Sequence, residues 1–126
     1  MKWFVHLSVA VFLGLLFGFK LGLLVGIAQL LPLADFFLKY LFGYKPMHTI
    51  LGFVIMILLY EANLPFVYVY LSLSHALHLL LDVNEGIALF QPWWKRTIKY
   101  AIPHSETIVL IGSIIGSIIL ILAKNI

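Results

Sequence analysis

An all-α bundle of about five transmembrane helices is the fold class this sequence predicts, and three observations predict it. Apolar residues make up 63% of the 126-residue chain and charged residues 10%, with a mean hydropathy of +1.11; a soluble domain carries about a quarter charged residues. The apolar residues form long runs of the kind that fill a bilayer core. The few interruptions carry glycine, proline, asparagine or lysine, the chemistry of turns and membrane interfaces. No polar stretch is long enough for a second folded unit, so residues 1–126 read as a single transmembrane domain. The absence of cysteine excludes disulfides, thiolate metal sites and cysteine nucleophiles.

The elements follow in order. Lys2 precedes an apolar run from Trp3 to Phe19 that has the outline of a signal peptide. It lacks a small-residue cleavage site, and hydrophobicity resumes directly after Lys20, so a retained membrane helix is expected. As one helix, Trp3 to Leu38 would span about 54 Å at 1.5 Å per residue, against a hydrocarbon core of about 30 Å. The chain must fold back, and Gly18, Lys20 and Gly22 offer the turn chemistry, giving helices near 3–19 and 21–38. Lys39 to Pro46 forms a polar loop before a third helix, 47–60. Glu61-Ala62-Asn63-Leu64-Pro65 marks a turn into a fourth, 66–83, which Asn84-Glu85-Gly86 breaks. Residues 86–100, with Pro92, Trp93, Trp94, Lys95 and Arg96, carry an interfacial signature. Pro103 and Ser105 open a fifth helix, 105–123, whose first turn holds Glu106, where a carboxylate suits the helix dipole.

Lysine and arginine orient this bundle. Lys2, Lys39, Lys45, Lys95, Arg96 and Lys99 fall on one side, and Lys20 and Lys124 on the other. The first side is expected to be cytoplasmic, with the N-terminus inside a multi-pass cell-membrane protein. The formal charge of +3, spread over loop ends, suits anionic headgroups better than nucleic acid. Small residues at Gly14, Gly18, Gly22 and Gly26, and again at Gly112/Gly116 and Ser113/Ser117, form ridges that let helices approach closely, within one bundle in preference to a dimer.

Function is signalled by polar residues that a bilayer disfavours. His6, Asp35, His48, His75, His78, Asp82 and His104 all fall in the cytoplasmic half, and ionisable groups at such depth line cavities, pair or bind ions. At about 100° per residue, His75, His78 and Asp82 occupy an arc of about 60° on one helix face. An imidazole and a carboxylate at i, i+4 are placed to hold one divalent cation. A buried hydrogen bond, or capping by Asp82, would use the same spacing. His104 with Ser105 and Glu106 reads equally as part of the cluster or as a capped helix start.

These residues also carry a resemblance. His6, then Leu31-Pro32-Leu33-Ala34-Asp35, Met47-His48-Thr49, His78-Leu79-Leu80-Leu81-Asp82 and Gly86-Ile87-Ala88-Leu89-Phe90-Gln91-Pro92 occur in an order that resembles the LexA-regulated YdjM/YbcI-like group (DUF457). That group comprises small inner-membrane proteins assigned to metal-dependent hydrolases. The similarity runs from about Trp3 to Lys99, and it implies a metal or catalytic cluster of His6, Asp35, His48, His78 and Asp82. The chain departs from the pattern at Leu33, where the group carries an acid, at Gly43, where it carries a second histidine, and at Leu77, where it carries serine. His75 is positioned to compensate.

The first functional expectation is therefore a metal-dependent hydrolase acting on a lipid or other amphiphile. His6, Asp35, His48, His78 and Asp82 would be ligands to a divalent ion such as Zn²⁺ or Mn²⁺, and His75 a catalytic base or orienting group. The second is a non-catalytic integral subunit or scaffold of a homo-oligomer or larger membrane complex, its cluster a hydrogen-bond network. A carrier or channel comes third, because the polar residues sit at one end and make no transmembrane path. No zinc-protease His-Glu-x-x-His, serine-hydrolase Gly-x-Ser-x-Gly or phosphate-loop motif is present.

Overall fold

The first reversal of the chain is made by one residue. Helix α1 (Trp3–Phe17) ends at Gly18, and α2 (Phe19–Leu30) begins immediately after it. Gly18 has φ +89°, a conformation that costs glycine little and any other L-residue more. Gly14 and Gly22 lie four residues to either side of this turn and meet across it: a Cβ on Gly22 would lie 2.0 Å from the Gly14 carbonyl oxygen. One helical turn further on, a Cβ on Gly26 would lie 3.2 Å from the Ala10 oxygen. The glycine ridge thus closes a helical hairpin, and Lys20 and Gly22, expected in the turn, belong to α2.

The computed structural model describes residues 2–124, and its named elements are all helical. The expected uniform helix 21–38 is a longer rod over 19–42, interrupted by a 3-10 turn at Leu31–Ala34 before α3 (Asp35–Phe42). Pro32 explains the interruption: it has no N–H to give and its ring crowds the preceding turn. Gly43, at φ +74°, ends α3 and donates its N–H to the Lys39 carbonyl at 2.9 Å. A second 3-10 turn, Pro46–His48, precedes α4 (Ile50–Asn63). Thr49 caps α4, its hydroxyl accepting from the Gly52 N–H at 3.0 Å, so His48 stands ahead of the helix it was expected to open. A Cβ on Gly52 would lie 1.9 Å from the Pro46 oxygen; the turn carrying His48 rests directly on α4.

Helix α5 (Tyr68–Val83) returns beside α2 and α4, tied to α2 by the Ser74 hydroxyl donating to the Val25 carbonyl at 2.8 Å. Val25, Ala28, Tyr60 and Leu71 form the apolar core where these three helices meet. Residues 86–100, expected to be interfacial, fold as a loop pinned by paired backbone hydrogen bonds between Ile87 and Ile98, of 3.0 and 2.8 Å. Helix α6 (Ser105–Lys124) packs along α1. Gly116 receives the Phe12 ring, whereas Gly112 faces open space; of the expected second ridge, Ser113, Gly116 and Ser117 lie on the packed side of α6 and Gly112 does not. Lys124 Nζ donates to the Leu15 carbonyl at 2.6 Å, which brings the end of α6 to the same end of the bundle as the Gly18 turn.

The distribution of polarity is inverted relative to a soluble domain. His6, Gln29, Asp35, His75 and His78 are at most 1% exposed, while Phe66, Phe19 and Leu41 are 96%, 88% and 81% exposed. Two rods, Phe19–Phe42 and Ser105–Lys124, are long and apolar enough to cross a membrane. Helices α1, α4 and α5, of 15, 14 and 16 residues, extend only about 21–24 Å at 1.5 Å per residue. Of the five expected spans, two are rods of full length, and the other three are shorter helices packed with them.

Candidate metal centre

Five elements deliver side chains to one end of this bundle. His6 comes from the first turns of α1, Gln29 from the end of α2, Asp35 from the start of α3, His48 from the 3-10 turn before α4, and His78 and Asp82 from the last turns of α5. The Leu31–Ala34 turn is what lets Gln29 and Asp35 face the same way. In an unbroken α-helix, six residues of separation would leave them about 120° apart; replacing four steps of about 100° by steps of about 120° reduces that to about 40°.

Asp82 is the hub. Its Oδ1 lies 2.9 Å from His6 Nε2, and its Oδ2 lies 2.7 Å from His48 Nε2 and 3.1 Å from His78 Nε2. Three imidazoles thus turn the same nitrogen to one carboxylate. The i, i+4 geometry anticipated for His78 and Asp82 is realised. The His6 and His78 rings stack with centroids 3.6 Å apart and planes 6° from parallel, and the His48 ring meets His78 edge-on at 5.2 Å.

The opposite nitrogens are each held from behind. His48 Nδ1 lies 2.7 Å from Asp35 Oδ2, which also accepts the His48 backbone N–H at 3.0 Å. His78 Nδ1 faces the Gln29 backbone carbonyl, which can only accept, so this nitrogen carries the proton. His6 Nδ1 faces the Gln29 side-chain amide at 3.3 Å. The amide's other end, Oε1, is buried without a partner, and the two ends of an amide are exchangeable by a flip. With Oε1 turned to His6, all three rings donate through Nδ1 and present Nε2 lone pairs to Asp82. Lone pairs and a carboxylate at such distances repel one another unless positive charge lies among them. A proton on His48 supplies it in one way, and a cation in another. Imidazoles backed by a carboxylate or carbonyl at the far nitrogen are the usual outer support of a histidine metal site.

His6, His78 and Asp82 each offer a ligand atom, all within 4.8 Å of one another, and this group could hold a metal ion. His48 reaches the group through Asp82 Oδ2, and Asp35 reaches it only through His48. His75 stands apart from the expected role of base: its Nε2 is engaged by the Met47 carbonyl at 2.9 Å, and its ring packs on Phe53 at 5.2 Å. It fastens the segment that carries His48. His104 is exposed at the mouth of α6 and takes no part in the cluster. Gln29, which the sequence reading passed over, proves central; its signal was an isolated amide inside the apolar run 21–38.

A cavity of about 180 Å³, bordered by Asp35, His48, Asp82 and Lys39, leads to the centre. Leu33 lines this cavity, and Gly43 lines an adjoining one of about 320 Å³. Two of the three departures from the pattern the sequence resembles, Leu33 and Gly43, therefore border the approach, whereas Leu77 lines a separate cavity. A larger apolar groove of about 500 Å³ runs along the Gly14/Gly22 seam and includes none of these polar residues. No family model, curated protein or solved structure matches this chain.

Proposed function

We propose that this chain is a multi-pass membrane protein whose buried centre binds one divalent cation and serves a metal-dependent hydrolase acting on an amphiphile at the cytoplasmic interface. The convergence of three Nε2 atoms on Asp82, each ring supported at Nδ1, is the observation that carries the reading. His6, His48, His78 and Asp82 would hold the cation. Asp35 would orient His48, a role one step removed from the ligand role that the YdjM/YbcI-like resemblance implies. A mixed nitrogen and oxygen donor set suits Zn²⁺ or Mn²⁺. When bound, such an ion supplies an activated water and polarises the scissile group. The protein's part is to fix the imidazole tautomers, to keep the donor set dry and buried, and to leave one approach open past Asp35 and His48.

The membrane reading rests on the apolar exterior, the two full-length rods and the grouping of Lys39, Lys45, Lys95 and Arg96 at the end of the chain's fold that bears the centre. A second reading has its own observation. His48 lies 2.7 Å from both Asp35 and Asp82, so a single imidazolium would satisfy both carboxylates without any metal, as expected of a non-catalytic membrane subunit. Elemental analysis of purified protein separates the two. Stoichiometric zinc or manganese that is lost in His78→Ala supports the metal centre, and a metal-free protein that does not take up either ion leaves the subunit reading.

A further inference from the structure

The approach to the centre has a chemistry of its own. Lys39 and Lys45 border both the inner cavity of about 180 Å³ and the outer one of about 320 Å³, and His48 lies at the floor of each. The two cavities therefore adjoin as one cleft that shares both lysines. Neither Lys39 nor Lys45 has a hydrogen-bond or ion-pair partner among the described residues; Lys39 Nζ rests over the Phe36 and Tyr40 rings at 5.0 and 5.3 Å. Beneath them, Asp35 is 1% exposed, and its Oδ1 has no hydrogen-bond partner. The cleft is thus built to receive a ligand that meets cations at its rim and a polar floor below.

Charge decides which ligand. The inner cavity is bordered by the acids Asp35, Asp82 and Glu85 and by the basic residues Lys39, Lys45 and His48. A divalent cation at the centre adds two positive charges beneath these groups, so the loaded cleft attracts an anion more strongly than the empty one. Beside the cleft, α3 is apolar: Phe36, Phe37 and Leu41 are 60%, 71% and 81% exposed. An anionic head below a hydrocarbon tail satisfies both parts of this surface, and phosphate is the head whose oxygens suit point-charge ammonium donors.

We infer that the substrate class of this centre is a phosphate-bearing amphiphile, its phosphate seated between Lys39 and Lys45 above the cation and its tail lying along α3. The inference rests on the metal-centre reading above, and its test reports on the two separately. Full-length protein in detergent, its zinc or manganese content measured on the same samples, is titrated with short-chain phosphatidate, short-chain phosphatidylcholine and inorganic phosphate. Phosphatidate should bind more tightly than the other two. The Lys39→Gln/Lys45→Gln double variant should lose at least about tenfold in phosphatidate affinity, the scale of a lost charge-assisted hydrogen bond, with its metal content unchanged. Lys95→Gln/Arg96→Gln, which alters basic residues bordering neither cavity, should bind phosphatidate as the parent does. Stripping the metal should weaken phosphatidate binding.

The inference is overturned if the Lys39/Lys45 variant binds phosphatidate as well as the parent, or if the Lys95/Arg96 variant loses as much, since attraction to the protein surface would then suffice. Inorganic phosphate binding as tightly as phosphatidate would overturn the amphiphile. Metal-loaded protein with no preference for phosphatidate sinks the substrate class alone; protein that takes up no metal sinks the centre and the substrate class together.

Discussion

Replacing Asp35 by asparagine tests how the centre is assembled, because the geometry assigns this residue a position behind His48 and the family resemblance implies a direct ligand. Asp35 Oδ2 accepts both the His48 Nδ1–H at 2.7 Å and the His48 backbone N–H at 3.0 Å. The amide that replaces it has nearly the same shape but no charge. Either its oxygen keeps the ring in place with a neutral hydrogen bond, or its NH₂ faces Nδ1 and drives the proton to Nε2, which removes the lone pair aimed at Asp82. A hydrogen bond to a charged group contributes about 1.5–3 kcal/mol. Lost outer-shell support of a metal-bound histidine weakens metal affinity about 10- to 100-fold, which is about 1.4–2.7 kcal/mol. The two scales agree. Competition of the purified protein against a chelator should therefore show Asp35→Asn binding the ion 10- to 100-fold more weakly, and Asp82→Asn, the hub, binding none. Loss in Asp35→Asn as complete as in Asp82→Asn would make Asp35 a ligand, and no loss at all would mean that His48 is not held through it. Either result refutes the positioning argument.

Three further outcomes follow from the packing. Gly22→Ala sets a Cβ 2.0 Å from the Gly14 oxygen and should destabilise the α1–α2 hairpin by about 1–3 kcal/mol in thermal or denaturant melts, whereas Gly112→Ala, in open space, should stay within about 0.5 kcal/mol; equal effects would show that the seam is wrong. His75→Leu leaves the buried Met47 carbonyl without its partner and should lower stability by about 1–3 kcal/mol while retaining bound metal, and loss of metal with unchanged stability would restore His75 to the centre. A reporter fused after Lys124 should behave as external and one in the Lys39 to Pro46 loop as cytoplasmic; reversed signals at both sites would invert the orientation.

The sequence by itself determined the helical class, the order of the elements and the identity of most polar residues that meet. Composition limits which solvent the exterior can face, and the i, i+4 spacing of His78 and Asp82 is a local property that survives any packing. Four further points were decided by tertiary structure. The turn between the first two helices narrowed to Gly18 because Gly14 and Gly22 must touch across it, a contact invisible to single-residue turn chemistry. Gln29 entered the centre because a 3-10 turn at Pro32 rotates the chain between it and Asp35, a rotation that uniform 3.6-residue periodicity does not contain. His75 shares the helix face of His78 yet is drawn to the Met47 carbonyl, since a face is shared by many neighbours and distance chooses among them. Asp82 became the hub for the same reason: convergence of His6, His48 and His78 on one carboxylate joins residues 76, 34 and 4 positions away, and only the last of these separations is encoded in local helical geometry.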